Sequence, residues 1–267
     1  MKYTSVTFFT DLYKFRKMIF KLARRDLSHR FLNSYLGIIW GCLLPLITVG
    51  VLWFVFIFGF KVSDSVDGIP FVLWVTAAQV PWSFLIDGTI NGTQSITSYE
   101  YLVKKIVFKV HALPLIRIFS CLFVHVVLVI VMMIVFVSYG YISLYSFQIL
   151  YYLFCSIVLL FAISLITASL NVFTRDVFQI VNVLAQVGFW ITPVFWKASS
   201  LPQKYQLLVK LNPFFYITEG YRYSLLYKVG FWESPYWALE FWVMTLIILL
   251  IGVLVYNKTS PYFADVL

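Results

Sequence analysis

Charge is scarce in this chain of 267 residues. Asp, Glu, Lys and Arg make up 12% of it, about half the share found in an average soluble domain. So few charges cannot cover a water-facing surface when 62% of the residues are hydrophobic. A single core of this length cannot hide that much apolar area. The same balance excludes a disordered chain. Cysteine is scarce too. Cys42, Cys121 and Cys155 lie inside apolar runs without paired spacing, as thiols packed against helices or lipid would. No G-x-x-x-x-G-K-S/T loop occurs, so ATP is not hydrolysed here by that route. His29, His111 and His125 lack ligand companions at metal-binding spacing, and no metal site is expected. No nucleophile elbow or carboxylate pair points to hydrolysis. The first 30 residues are basic and amphipathic, unlike a signal peptide.

What is present is apolar sequence in continuous runs, the pattern of helices and not of alternating barrel strands. Six runs have about the length needed to cross a hydrocarbon layer of roughly 30 Å. They are Leu36–Phe60, Ile69 to beyond Ile86, Ile118–Val137, Ile149–Leu170, Val177–Trp196 and about Tyr236–Tyr256. The expected fold is an all-α integral membrane protein, with 1–267 as a single transmembrane domain. An amphipathic interface helix occupies 1–33. Spans one to five fill 34–196, with a cytoplasmic helix at about 97–108. Two short external helices lie in 197–234, and span six with its tail in 235–267.

The formal charge is +9, and the positions of Lys and Arg set orientation. Eight of the twenty basic residues precede the first span. Lys104, Lys105 and Lys109 mark the second loop, and Arg175 the fourth. Both termini and these loops are therefore expected in the cytoplasm. The segment 197–234 disobeys, since it lies outside yet carries Lys197, Lys204, Lys210, Arg222 and Lys228. Asn212-Pro213 within it reads as a helix cap followed by Pro at the first helical position. Two short helices are predicted, Pro202 to Leu211 and Pro213 to Tyr227, lying at the interface or re-entering the membrane.

Three further signals bear on function. Phe8, Leu12, Phe15, Ile19 and Leu22 recur at helical spacing opposite basic residues, predicting a helix with its apolar side toward acyl chains. Thr97 with Glu100 forms a candidate capping box that opens a cytoplasmic docking helix. In the second span, Asp87, Asn91 and Gln94 form a polar stripe. They either line a polar pathway or mark the helix leaving the bilayer. His125 is expected to hydrogen-bond a neighbouring helix. Aromatics make up 20% of the chain. Some form interfacial belts, and a subset offers flat faces suited to sugar rings.

Arg24-Arg25-Asp26, then Asn33-Ser34-Tyr35-Leu36-Gly37 with Trp40 and Pro45, resembles the entry to the first span of polysaccharide-export ABC transporter permeases. That branch includes O-antigen, teichoic acid and capsule exporters. The resemblance continues through Thr174-Arg175-Asp176-Val177, Thr192-Pro193-Val194, Asn212-Pro213-Phe214 and the ending Phe263-Ala264-Asp265-Val266-Leu267. It covers essentially the whole chain. No single motif is diagnostic, but order, spacing and topology agree.

The resemblance implies a six-helix subunit of the bacterial inner (plasma) membrane that pairs as a homodimer with two copies of a cytosolic ABC ATPase. ATP is used by that partner. This chain is then a transport subunit and no enzyme, with no cofactor of its own and no nucleic-acid partner. Its substrate would be an undecaprenyl-pyrophosphate-linked polysaccharide, O-antigen-like, moved from the cytoplasmic to the outer face. The implied pyrophosphate entry is Arg24, Arg25, Arg30, Tyr35 and Gly37, since Arg binds phosphate bidentately. The expected channel-lining aromatics are Trp40, Trp53, Phe56, Phe178, Phe189 and Trp190, with Asp87 and Asn91 as polar pathway. Ser98 to Phe108 looks like the coupling helix, presenting Tyr99, Glu100, Tyr101 and Lys104 to the ATPase. The pair at 202–227 looks like periplasmic gate helices, marked by Tyr205, Asn212, Pro213, Tyr216 and Arg222. Alternatives are a teichoic acid, capsule, small-lipid or drug exporter, and a membrane-embedded polyprenyl-phosphate glycan transferase. The scatter of Asp26, Glu100 and Asp176 speaks against the last.

Overall fold

The computed structural model describes residues 14–31, 35–37, 39–59, 61, 65–104 and 109–267. Phe8, Leu12, Asn33, Ser34, Lys105, Ile106 and Phe108, which carry parts of the sequence pattern, lie outside these residues. The described chain is almost entirely helical. Helix α1 is Arg16–Phe31. Helix α2 is Ile39–Phe54 and runs on as a π turn, Val55–Gly59. A hairpin follows, β1 (Ser65–Val66) antiparallel to β2 (Ile69–Pro70), and leads into α3, Phe71–Thr93. A 3-10 turn, Thr97–Tyr99, enters the short α4, Glu100–Val103. Then come α5 (Leu113–Ser138), α6 (Ile149–Asn171), α7 (Asp176–Ile191), α8 (Gln203–Lys210), α9 (Pro213–Arg222, with a π turn Tyr223–Tyr227), α10 (Pro235–Thr259) and α11 (Phe263–Val266).

Among the described residues, five helical stretches are long and apolar enough to cross a membrane: Ile39–Gly59, Phe71–Thr93, Val110–Ser138, Leu144–Asn171 and Pro235–Val266. The expected fifth span is shorter than its apolar run. Helix α7 stops at Ile191, not Trp196, after 16 residues, about 24 Å at 1.5 Å per residue. Thr192 precedes Pro193 and turns extended, with ψ 130°, because the proline ring disfavours helical backbone in the residue before it. Phe195 and Trp196 fold back. Phe195 is buried against Phe56 and Phe189, and the Trp196 indole donates to the Trp190 carbonyl at 3.1 Å.

Helix α3 is the centre of the packing, against α5, α6 and α9, while α10 lies along α6. Small residues allow the closest approaches. Gly88 and Gly92, one turn apart on α3, face Leu160 and Ser164 of α6. Without a hydrophobic force between helices in lipid, such van der Waals contact is a main source of association. The outer surface is apolar. Val126, Ile130 and Ile134 on α5, and Leu246, Leu250 and Leu254 on α10, form exposed stripes at helical spacing of the kind that faces acyl chains.

Part of the apolar face of α1 meets protein: Ile19 and Ala23 are buried, and Phe20, itself half exposed, packs on Phe119 and Phe123 of α5 at 5.8 and 5.6 Å between ring centroids. Positions 19, 23 and 26 share one face of the helix, so Asp26 is carried into that contact. The capping box at Thr97 and Glu100 does not form. Thr97 lies inside the 3-10 turn Thr97–Tyr99 and so does not take the extended backbone that a cap requires. The Thr97 hydroxyl donates back to the Gln94 carbonyl at 3.1 Å, and Glu100 pairs with Lys104.

Candidate functional site

One end of the bundle gathers α1, residues 97–104, the start of α5 and the C-terminus. Between them lies a cleft of about 500 Å³ lined by Arg25, Asp26, His29, Arg30, Ser98, Tyr99, Tyr101 and Arg117. Helical spacing places Arg25 and His29 one turn apart, and the Arg25 Nε donates to His29 Nε2 at 3.3 Å. Arg30 Nη1 reaches the Cys121 thiol at 3.3 Å. Asp26 is only 5% exposed, and its Oδ1 takes two donors. The Tyr99 hydroxyl donates at 2.5 Å, and Arg117 Nη1 approaches to 3.0 Å. The Arg117 guanidinium also lies 5.1 Å from the centre of the Tyr99 ring. Burial, and next the hydrogen bond to Asp26, hold the Tyr99 phenol well above its ordinary value, so it remains a donor. Three Arg against one Asp leave the cleft cationic.

The predicted entry residues divide. Arg25 and Arg30 line the cleft. Arg24 is exposed beside it and is not part of its wall. Tyr35 is fully exposed in the turn that ends at Gly37, whose φ of +55° suits glycine. Of the coupling residues, Tyr99 and Tyr101 wall the cleft, while Glu100 and Lys104 pair at 2.6 Å. Lys104 also donates to the Leu267 carbonyl at 3.1 Å, tying this segment to the end of the chain. The sequence alone offers Asp26 only as a member of the Arg24-Arg25-Asp26 motif and assigns no role to Arg117.

The six aromatics do not form one surface. Phe189 and Trp190 share a groove of about 400 Å³ with Trp82, Asn182 and Gln186, between α3 and α7. Phe178 lies elsewhere, in a polar pocket with Gln94, Asn171 and Arg175. Trp40 is exposed on α2, and Trp53 lines an apolar pocket with Phe58, Phe71 and Tyr139. Phe56 packs on Phe71 and Phe195. Sequence reasoning missed Trp82, Asn182 and Gln186. The signal was two amides one turn apart inside an apolar helix. Asp87 is exposed, and the Asn91 amide donates to the Asp87 backbone carbonyl at 2.7 Å. His125 meets its expected neighbour, Tyr221 of α9, at 2.9 Å.

The opposite end holds the two short helices. Asn212 caps α9 as its Asn-Pro signal predicts, accepting from the Phe214 amide at 3.0 Å and donating to Thr192 at 2.8 Å. Tyr205 is exposed on α8, while Tyr216 is buried against Phe241. Two of the five disobedient cations are paired with carboxylates. Arg222 is fully buried with Glu219 at 2.9 Å. Lys197 pairs at 2.6 Å with Asp67, which also accepts from the Tyr227 hydroxyl at 2.9 Å. Asp67-Gly68 is the hairpin turn, and both residues have positive φ, a known preference of this dipeptide.

The hydrogen bonds from Lys197 and then Tyr227 hold the Asp67 carboxyl below its ordinary value. A depressed carboxylate stabilises the fold above its unfolded pKa, and that contribution is lost as pH falls through the lower folded value. Both side chains are partly exposed, so the pair contributes under ~1 kcal/mol. The Asp67→Asn variant is expected to melt slightly below the parent at pH 7, with the gap narrowing as pH falls to 3. Thermal midpoints at both pH values check this, and an equal deficit at both would count against the tie.

Residues 18–226 match the ABC-2 type transporter family. The O-antigen export system permease protein RfbA of Myxococcus xanthus is 27% identical over 219 residues, which is 79% of this chain and 81% of that protein. A Klebsiella pneumoniae protein of the same name is 24% identical over 253 residues, covering 92% and 93% of the two chains. A second Klebsiella pneumoniae protein so named is 23% identical over 249 residues, with the same coverage. With most of its length matched, this chain belongs to the ABC-2 type transporter family.

Proposed function

We propose that this chain is the channel-forming permease subunit of an ATP-driven polysaccharide exporter. The observation that carries the reading is the cationic cleft on α1, walled by Tyr99 and Tyr101 of the segment expected to dock an ATPase. The names of the relatives support the polysaccharide. In this reading two copies pair in the bacterial inner membrane with two ATPase subunits, and both termini face the cytoplasm. Only 18% of the first span's apolar stretch is buried within one chain, much as in the last span at 22%; in this reading the first span's open face meets the second copy and the last span's meets lipid. Helix α7, the fifth span in chain order, completes the six crossings in this reading.

The pyrophosphate of an undecaprenyl-linked, O-antigen-like glycan would enter at Arg25 and Arg30, with Arg24 and the Tyr35–Gly37 turn on the approach. Phe189, Trp190 and the amides of Asn182 and Gln186 would then offer the sugars weak stacking and hydrogen bonds. Repeated weak contacts suit passage, since one tight site would stall the chain. Asp87 and Asn91 would border this path. Helices α8 and α9, with Tyr205, Asn212, Pro213, Tyr216 and Arg222, would gate the outer end. Glu100, Tyr101 and Lys104 would meet the ATPase.

The test is genetic and biochemical together. Deleting the gene should abolish a surface polysaccharide, and the tagged protein should retain an ABC ATPase through detergent purification. An unchanged surface and no co-purifying ATPase would sink the reading. The Arg25→Gln/Arg30→Gln double variant should assemble normally but export at least about tenfold less, the scale of one lost charge-assisted contact or more. Arg24→Gln, outside the cleft wall, should lose much less. Both are read as surface polysaccharide per cell.

A further inference from the structure

The cleft and the coupling segment meet at one carboxylate oxygen. Asp26 Oδ1 holds Tyr99 and Arg117 at once, while its Oδ2 is buried without a hydrogen-bond partner. Arg117 is also incompletely used, because its buried Nε has no acceptor. A buried ion pair in which both members keep spare capacity is a weak clasp, since the cost of desolvating the charges is only partly offset. Arg117 is 14% exposed at its side chain and lines the same cleft as Arg25 and Arg30. A phosphate there would offer it several acceptor oxygens and a bidentate fit, where Asp26 offers one oxygen.

We propose that Arg117 is a further ligand of the substrate's phosphate, and that its transfer from Asp26 to that phosphate loosens Tyr99 and reports cleft occupancy to the coupling segment. This rests on the reading of the cleft as the pyrophosphate entry. The steps follow from charge. Once Arg117 turns to the phosphate, the Asp26 carboxylate is left buried beside an added anion. Without its cation and beside an added anion, the buried carboxylate is unfavourable where it stands, so the Asp26 side chain turns toward water or takes up a proton, and either way its charge-assisted bond to Tyr99 is lost. Tyr99 ends the 3-10 turn that opens α4, so releasing its hydroxyl frees residues 97–104 from α1. The Tyr99 ring loses its stacked guanidinium in the same step. Asp26 is thus a positioning residue that competes with substrate for Arg117.

Competition makes a prediction that a purely structural clasp does not: removing the competitor should tighten binding. The experiment uses the permease with its ATPase partner in nanodiscs. Radiolabelled undecaprenyl pyrophosphate is the probe, and ATP hydrolysis is followed alongside binding. Asp26→Asn should bind the probe about three- to tenfold more tightly than the parent and hydrolyse ATP near the parent's stimulated rate without it. Tyr99→Phe should raise the unstimulated rate in the same direction and keeps the test alive if Asp26→Asn does not fold. Arg117→Gln should weaken binding about tenfold, the scale of one charge-assisted contact, and lose stimulation. Inorganic pyrophosphate should displace the probe if the phosphate is what is recognised. Displacement by undecaprenol alone would mean that the lipid is recognised, and would overturn the proposal. If Arg25→Gln weakens binding while Asp26→Asn and Arg117→Gln leave it unchanged, the exchange is wrong and the entry site stands. If Arg25→Gln also binds as the parent does, the entry reading itself fails.

Discussion

Arg222→Met is expected to destabilise the protein by about 3–5 kcal/mol, the cost of stranding the partner of a buried ion pair. The Arg222 side chain is the largest among those that are fully buried. Its Nε donates to the Trp74 carbonyl at 3.2 Å, and Nη1 to the Pro193 carbonyl at 2.8 Å and to Glu219 at 2.9 Å. Nη2 donates to the Val194 carbonyl. The guanidinium lies 3.4 Å from the centre of the Trp74 ring. One planar fork therefore joins α9 to the start of α3 and to the turn that ends α7. A Met side chain of similar reach supplies none of these donors. Glu219 would be left without its cation beside three carbonyls that have lost a partner.

The companion variants separate charge from packing. Arg222→Lys should fall between parent and Met, because an ammonium lacks the planar fork and cannot span the same acceptors. Glu219→Gln/Arg222→Met should recover part of the loss, since the stranded carboxylate is gone. Denaturant midpoints in detergent, with the fraction of monodisperse protein as a second reading, decide the matter. A parent-like midpoint for Arg222→Met would show that the buried fork contributes nothing net.

This residue also shows where sequence reading stops. The apolar runs, the Asn212-Pro213 cap and a helix partner for His125 were legible, because each is a local or periodic signal. The cations of 197–234 looked like a contradiction of topology. Two of the five have tertiary partners that the sequence does not show: Arg222 is paired with Glu219 one turn away and bonded to carbonyls where Pro193 ends α7, and Lys197 is paired with a hairpin 130 positions earlier. The early stop of α7 was only half readable: Thr192-Pro193 disfavours a continuous helix, yet Pro45 and Pro81 lie inside α2 and α3, so proline alone does not mark the end. Asp26 was hidden for the opposite reason. Arg24-Arg25-Asp26 reads as a solvated charge run, and only the rotation of α1 against α5 turns its carboxylate inward. The cationic character of the site was therefore visible in sequence, while the clasp that links it to residues 97–104 was not.

Gly92→Ala is expected to destabilise the α3–α6 contact by ~1–3 kcal/mol, the usual effect of overpacking a tight interface. A methyl group at Gly92 would lie 2.0 Å from the Ser164 hydroxyl oxygen and 2.9 Å from its Cβ. The hydroxyl can rotate away, but Cβ is fixed to the α6 backbone. Ser164→Ala should therefore rescue little, whereas Ser164→Gly in the Gly92→Ala background should restore much of the loss by exchanging the small residue across the interface. Gly88, one turn earlier, faces the flexible end of Leu160, with Cδ1 at 2.5 Å, so Gly88→Ala should be milder. The same ordering should appear in export, because α3 carries Trp82 of the aromatic groove and leads directly into the coupling segment. A shift of α3 away from α6 would disturb both ends of the proposed path. Denaturant midpoints for the four variants test the packing argument. A Gly92→Ala protein as stable as its parent, or one rescued equally by Ser164→Ala and Ser164→Gly, would refute it.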